Sequence, residues 1–147
     1  MQALVDETMT REELLVALTG IGDMERLMGR IVYGTAGGRD LAALKNAALK
    51  LPAVRAQLEG FEKGRLHQLN GELDDLNDLA ALIGQTLVDE PPFSVREGGV
   101  IRAGYNQEVD YLRNIRDNGA QMVTDLETRE RERTGVKKLK VGYNKVF

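Results

Sequence analysis

The stretch GYNQEVDYLRNIRDNGAQMVTDLETRERERTG, from Gly104 to Gly135, decides the fold. Tyr105 to Thr134 reads as one uninterrupted helix. Leu112, Ile115, Gly119, Met122 and Leu126 recur at three-four spacing and share a single stripe, as in an antiparallel helix pair. After Leu126 the apolar residues stop, and Glu127 to Arg133 is almost wholly charged. At 1.5 Å per residue a helix of this length spans roughly 45 Å, longer than the body of a small domain. Its first part is expected to pack and its second to project into solvent. Gly135 closes it as a C-cap, because glycine adopts the left-handed conformation without a Cβ clash. Val136 to Phe147 then has strand character. The expected object is a lever, with a packed root, a bare shaft and the start of another structure at its tip.

The natural partner for that helix lies upstream. Leu66, Leu69, Leu73, Leu76, Ala80, Ile83 and Leu87 alternate spacings of three and four, which keeps three heptads in phase. This predicts a second long helix, antiparallel to the first, with the core at their common root. Glu72, Asp74, Asp75 and Asp78 fall off the stripe and read as a solvated face. Between the two long helices, Asp89-Glu-Pro-Pro stops the first, and Gly98-Gly-Val-Ile suggests a short turn or hairpin before Tyr105.

Shorter helices fill the N-terminal half. Met1 to Met9 reads as the tail of a helix, with no complete amphipathic face. Thr10-Arg-Glu-Glu places Glu13 at the third helical position, the spacing of a capping box. Asp23 is the N-cap of a helix carrying Met24, Leu27, Met28, Ile31 and Val32. Gly34 to Gly38 leads into a helix with Leu41, Leu44, Ala48 and Leu51 inward. Pro52 opens a short helix to about Leu58.

Composition limits the chemistry. The chain has 147 residues, 42 % of them hydrophobic and 5 % aromatic, enough for one domain with an aliphatic core. No apolar run approaches the roughly 18 residues that cross a bilayer, and no charged-then-apolar leader opens the chain. With no cysteine there is neither a disulfide framework nor a thiolate metal site. His67, the single histidine, has no second ligand at metal-binding spacing and reads as a surface residue. No Ser/His/Asp or Cys/His arrangement exists for nucleophilic chemistry. A phosphate loop at Gly34 to Gly38 lacks the preceding strand and the Lys-Ser/Thr pair, so a plain turn is the better reading.

The net charge of −3 conceals a polarity. Residues 1–126 carry 13 basic and 20 acidic side chains, whereas residues 127–147 carry 7 basic and 3 acidic. A basic tip can meet a polyanion through phosphate contacts, which need charge and reach but no base reading.

Three stretches carry a resemblance. Asp23-Met-Glu-Arg-Leu-Met-Gly-Arg-Ile to Arg39-Asp-Leu resembles the core helix and turn of the bacterial MutS family of DNA mismatch-repair proteins. Arg96-Glu-Gly-Gly-Val-Ile-Arg-Ala-Gly-Tyr is similar to that family's approach to its lever, departing at Ala103 where the family has Asp. Arg129-Glu-Arg-Glu-Arg-Thr-Gly-Val-Lys-Lys-Leu-Lys-Val-Gly-Tyr-Asn-Lys-Val-Phe looks like its passage from lever to clamp. The resemblance implies a fragment, with a helical core or lever domain at 1–135, truncated at its N-terminal edge, and the start of a clamp at 136–147. In the family two proteins close around a DNA duplex. A wedged phenylalanine and a glutamate read the mismatch, a C-terminal domain hydrolyses ATP with Mg²⁺, and MutL is a partner. This chain contains no Phe-x-Glu and no GxxxxGK[ST], so those activities belong to other parts.

The expectation is therefore an all-α, non-catalytic lever that holds no cofactor of its own and couples an ATPase to a DNA clamp in a cytoplasmic protein without a membrane segment. Lys137, Lys138, Lys140 and Lys145 are the candidates for DNA-backbone contact. The alternative is a stand-alone helical module that pairs with another protein through the Leu66 to Leu87 stripe.

Overall fold

A computed structural model describes residues 2–142 of the chain. Its helices are α1 (Gln2–Asp6), α2 (Thr8–Leu18), α3 (Met24–Val32), α4 (Gly38–Ala48), α5 (Leu51–Leu58), α6 (Gly64–Glu72), α7 (Asn77–Thr86) and α8 (Gln107–Thr134). A 3-10 turn spans Val95–Glu97, and an isolated antiparallel bridge joins Leu87 to Ile101. No strand or sheet occurs among the described residues, so the all-α expectation holds. The chain divides into two units, Met1–Arg102 and Ala103–Phe147.

The first unit is built around α4. Ala42, Leu44, Ala47 and Ala48 are buried, with Leu44 2 % exposed and Ala48 fully covered. Small residues on that face let neighbouring helices approach closely, and Leu44 fills the space between them. Leu27 of α3 and Ile83 and Leu87 at the end of α7 complete the cluster, with Met24, Ile31, Leu41 and Leu79 against its edge. Helix α3 starts as its sequence dictates, since the Asp23 carboxylate accepts the Arg26 N–H at 2.9 Å. Helix α5 carries Pro52 in its first turn, where the missing N–H is not needed.

Gly38 has a steric reason. A Cβ there would lie 2.8 Å from Pro91 Cβ and 3.2 Å from Val100 Cγ1, in a buried contact between α4 and the loop after α7. Neither neighbour is a flexible tip that can swing away. Gly38→Ala is expected to cost about 1–3 kcal/mol by overpacking, read as a lower urea midpoint. An unchanged midpoint would mean that Pro91 is free to retreat.

Three expectations are corrected. The heptad stretch is not one helix but α6 and α7, separated at Leu73–Leu76. The Asp74 carboxylate accepts the Leu76 N–H at 2.9 Å, and Leu76 sits in the left-handed region at φ 50°. That conformation costs a non-glycine residue about 1–2 kcal/mol, and the local bond to Asp74 offsets part of it. Acidic residues expected on a solvated face thus make the break, and Asp75 pairs with Arg55 of α5 at 3.3 Å. Of the seven stripe residues only Ala80, Ile83 and Leu87 are buried, so the second long helix and its continuous seam are absent.

Near the N-terminus the helix starts at Thr8 rather than Thr10, with Glu7 as its cap residue and no side-chain capping bond. Thr10 therefore lies inside the first turn, and the expected capping box does not form. The third correction concerns the expected strand. Residues 136–142 contain no strand, and residues 143–147 lie outside the described part. A strand needs a neighbour for its backbone groups, and no neighbouring strand exists among the described residues.

The second unit is α8 together with the segment after it. The expected start and end of this helix are close to those observed. Asn106 caps it by accepting the N–H groups of Glu108 and Val109 at 2.9 and 3.1 Å. Glu108 and Asp110 lie in the first turn and Arg131 and Arg133 in the last, each complementing the helix dipole. Gly135 ends it at φ 70°, its N–H donating to Arg131 O at 2.9 Å. Along the shaft Arg113 pairs with Asp110, Gln121 with Asp125, and Arg133 with Glu130. No residue of α8 is buried.

Candidate nucleic-acid interface

The basic residues after Leu126 divide into paired and unpaired sets. Arg131 forms an ion pair with Glu127, one turn back on α8, and its Nε donates to Leu139 O at 2.8 Å. The other oxygen of Glu127 accepts the Val141 N–H at 3.2 Å. One Glu–Arg pair therefore fastens the segment after the helix to the helix's last turns. Arg133 is spent on Glu130 at 2.7 Å. Thr134 Oγ1 donates to Glu130 O at 2.6 Å, continuing the cap.

Between these anchors the chain makes a turn, closed by the Leu139 N–H to Val136 O at 3.1 Å. Lys137 and Lys138 occupy its two central positions, and Lys140 follows directly. All three are exposed, and none has an ion pair or hydrogen bond among the described residues. Lys137, Lys138 and Lys140, expected in a stretch of strand character, are instead gathered at a turn. Lys145 lies outside the described residues. Arg129, exposed and without a carboxylate partner among the described residues, adds a further cation on α8. Sequence reading missed both Arg129 and the anchoring role of Glu127 and Arg131. The spacing of four between Glu127 and Arg131 was the available signal.

An exposed lysine head keeps its hydration, and several on one turn form a compact cationic point. Such a point suits phosphate oxygens, where charge and reach suffice. Contacts of this kind to phosphate position a duplex and carry no sequence information.

The other candidates of the sequence resolve differently. In the Gly34 to Gly38 turn, the Asp40 carboxylate accepts the Gly37 N–H at 2.9 Å and holds Arg30 at 2.8 Å. The N-terminus of α4 therefore already has an anion, and the nearby arginine is neutralised by it. A nucleotide phosphate placed there would face Asp40. His67 is exposed, and its Nδ1 donates to Phe61 O at 3.1 Å, as a surface residue bracing a turn. No helix among the described residues is long and apolar enough to cross a membrane.

Comparison with known proteins adds an independent line. A family model described as MutS domain III matches residues 1–136. The chain is 46 % identical over 146 residues to the DNA mismatch repair protein MutS of Halothermothrix orenii, covering 99 % of this chain and 16 % of that protein. Identity is 45 % over 144 residues to the protein of the same name from Symbiobacterium thermophilum, covering 98 % and 16 %. It is 44 % over 150 residues to that from Methanosarcina barkeri, covering 99 % and 17 %. The chain spans about a sixth of the length of the curated relatives it matches.

Proposed function

Since the chain belongs to the MutS domain III family, we propose that it is the lever of a mismatch-repair protein, carrying movement between an ATPase and a DNA clamp. Residues 1–135 are then the lever domain, and residues 136–147 begin the clamp. The observation that carries this reading is α8. Its 28 residues make a rod of about 42 Å, capped at both ends by its own residues and finished by a turn of lysines with no ion pair among the described residues. A rod with local caps keeps its length under load, and a cationic turn suits contact with a duplex backbone.

On this reading the segment performs no catalysis. ATP and Mg²⁺ belong to a separate domain of the longer protein, and the turn at Gly34 to Gly38 is occupied by Asp40. Duplex DNA, a second copy of the longer protein and MutL are its partners, and its place is the cytoplasm. The stand-alone module reading loses its support, because the Leu66 to Leu87 seam on which it rests is interrupted at Leu73–Leu76.

The test is salt-dependent duplex binding by the 147-residue chain. Weak binding, equal for matched and mismatched duplexes, is expected, with affinity falling steeply as salt rises. Replacing Lys137, Lys138 and Lys140 together by alanine should flatten the slope of log K against log salt by up to ~2.7, about 0.9 for each phosphate no longer neutralised. Fluorescence anisotropy with a labelled duplex reads this directly. An unchanged slope in the triple variant would remove these lysines from the interface. A preference for mismatched DNA would contradict the reading.

A further inference from the structure

The first unit ends at Arg102, and α8 begins five residues later. Any displacement passed along the chain from α8 to the first unit arrives at Arg102, so its anchoring decides what receives the movement. Its backbone N–H donates to Thr86 O at 2.8 Å. Its Nε donates to Gly84 O at 3.0 Å and to Leu87 O at 3.1 Å. These carbonyls belong to the end of α7, where helical C=O groups lack intrahelical partners and the dipole is negative. Helix α7 has no basic residue of its own in its last turn. Arg102 supplies that charge from 15 residues downstream of Leu87.

The guanidinium reaches further. Nη2 of Arg102 lies 2.9 Å from Asp89 Oδ1, and the same oxygen lies 3.3 Å from Lys45 Nζ. Lys45 sits on α4, the central helix of the core, with its side chain 14 % exposed. Arg102 thus holds α7 directly and reaches α4 through Asp89. These are two of the helices that contribute to the Leu27, Leu44, Ile83, Leu87 cluster. Pairing with Lys45 first, and with Arg102 second, holds the Asp89 carboxyl below its ordinary value of 3.8. The clasp is therefore intact throughout the neutral range, and it weakens only as pH falls through that lowered value.

We infer that Arg102 is the positioning residue that fixes the end of the first unit to α7 and, through Asp89, to α4, so that a displacement arriving along the chain at Arg102 is delivered to the packed core rather than absorbed by the loop between α7 and Arg102. This rests on the lever reading above. The two parts of the clasp differ in kind. Arg102 shares its Nε–H between two carbonyls while Nη2 of the same plane reaches Asp89, a spread of separate donors that the single ammonium of lysine cannot reproduce. The Asp89 link is a charge pair with its carboxylate 72 % exposed, which water screens.

Arg102→Ala, Arg102→Lys and Asp89→Asn separate these contributions by hydrogen exchange of the 147-residue chain. The amides of Arg102 and Val88 should exchange roughly 10- to 100-fold faster in Arg102→Ala, the range expected for loss of charged hydrogen bonds. Arg102→Lys should behave nearly the same, and Asp89→Asn should change exchange by no more than about threefold. Unchanged exchange in both Arg102 variants overturns the inference.

The second arm uses the longer mismatch-repair protein that contains the segment. Arg102→Ala and Arg102→Lys should lower the stimulation of ATP hydrolysis by duplex DNA about tenfold, with basal hydrolysis and DNA affinity retained. Faster exchange with undiminished stimulation would make Arg102 a helix cap and nothing more, and the inference fails. Whether the lever reading fails with it is read separately from Ala120→Pro in the same protein. Stimulation lost in Ala120→Pro and kept in both Arg102 variants rejects the joint and leaves the lever standing.

Discussion

Leu44→Ala is expected to destabilise the first unit by about 2–5 kcal/mol. Leu44 is 2 % exposed and is the member of α4 that fills the space between Leu27, Ile83 and Leu87. Truncation removes three carbons from that cluster and leaves a cavity, because the alanines beside it on α4 have no atoms to move in. Against the ~5–15 kcal/mol that holds a domain folded, the loss is a large fraction of the whole. Urea denaturation should show a lower midpoint with an unchanged slope, since the surface exposed on unfolding is nearly the same. Leu82→Ala is the control. That residue is 54 % exposed on α7, and its truncation should stay within about 0.5 kcal/mol. Equal losses at the two positions would mean that the core does not sit where the structure places it.

Ala120→Pro should divide α8. Position 120 lies in the middle of Gln107–Thr134, far from either cap. Proline removes a backbone N–H from the ladder and sets its ring against the carbonyl four residues back, at a cost of about 3 kcal/mol or more. The caps at Asn106 and Gly135 would survive, but each would then serve a half-helix of roughly 13 to 15 residues. Such lengths are marginal in water. Far-UV circular dichroism should show a loss of helix content well beyond one turn. On the proposed lever reading, in a longer mismatch-repair protein that contains the segment, stimulation of ATP hydrolysis by duplex DNA should be lost while basal hydrolysis continues. Retained stimulation with a demonstrably broken helix would reject the lever.

The limits of α8 were legible because everything that sets them is local. The cap at Asn106 reaches two and three residues forward, and the dipole-matched charges and the left-handed Gly135 lie within a turn of the ends. The same holds for Asp23 at the start of α3. The stretch from Leu66 to Leu87 misled for the opposite reason. Three-four spacing describes which residues could share a face, and it is blind to whether the backbone stays helical between them. Asp74 accepting the Leu76 N–H, with Leu76 left-handed, ends one helix and starts another without disturbing the apolar count. At the candidate interface the identity of the cations was readable, but their arrangement was not. A segment with strand propensity becomes a turn when Glu127 and Arg131 satisfy its backbone groups and no neighbouring strand among the described residues does.

The order of residues alone settles the all-helical class and the rod, because these depend on composition, periodicity and bonds spanning a few positions, while the family rests on the resemblance of three stretches and on the matching relatives. Which apolar residues form the core, why Gly38 must lack a side chain, and how Arg102 comes to cap α7 were decided only by the tertiary structure. Each depends on groups far apart in the chain, such as Gly38 and Pro91, Lys45 and Asp89, or Gly84 and Arg102. Spacing along a sequence constrains neighbours on one helix, whereas contacts of this kind exist only once several helices have packed and excluded water between them.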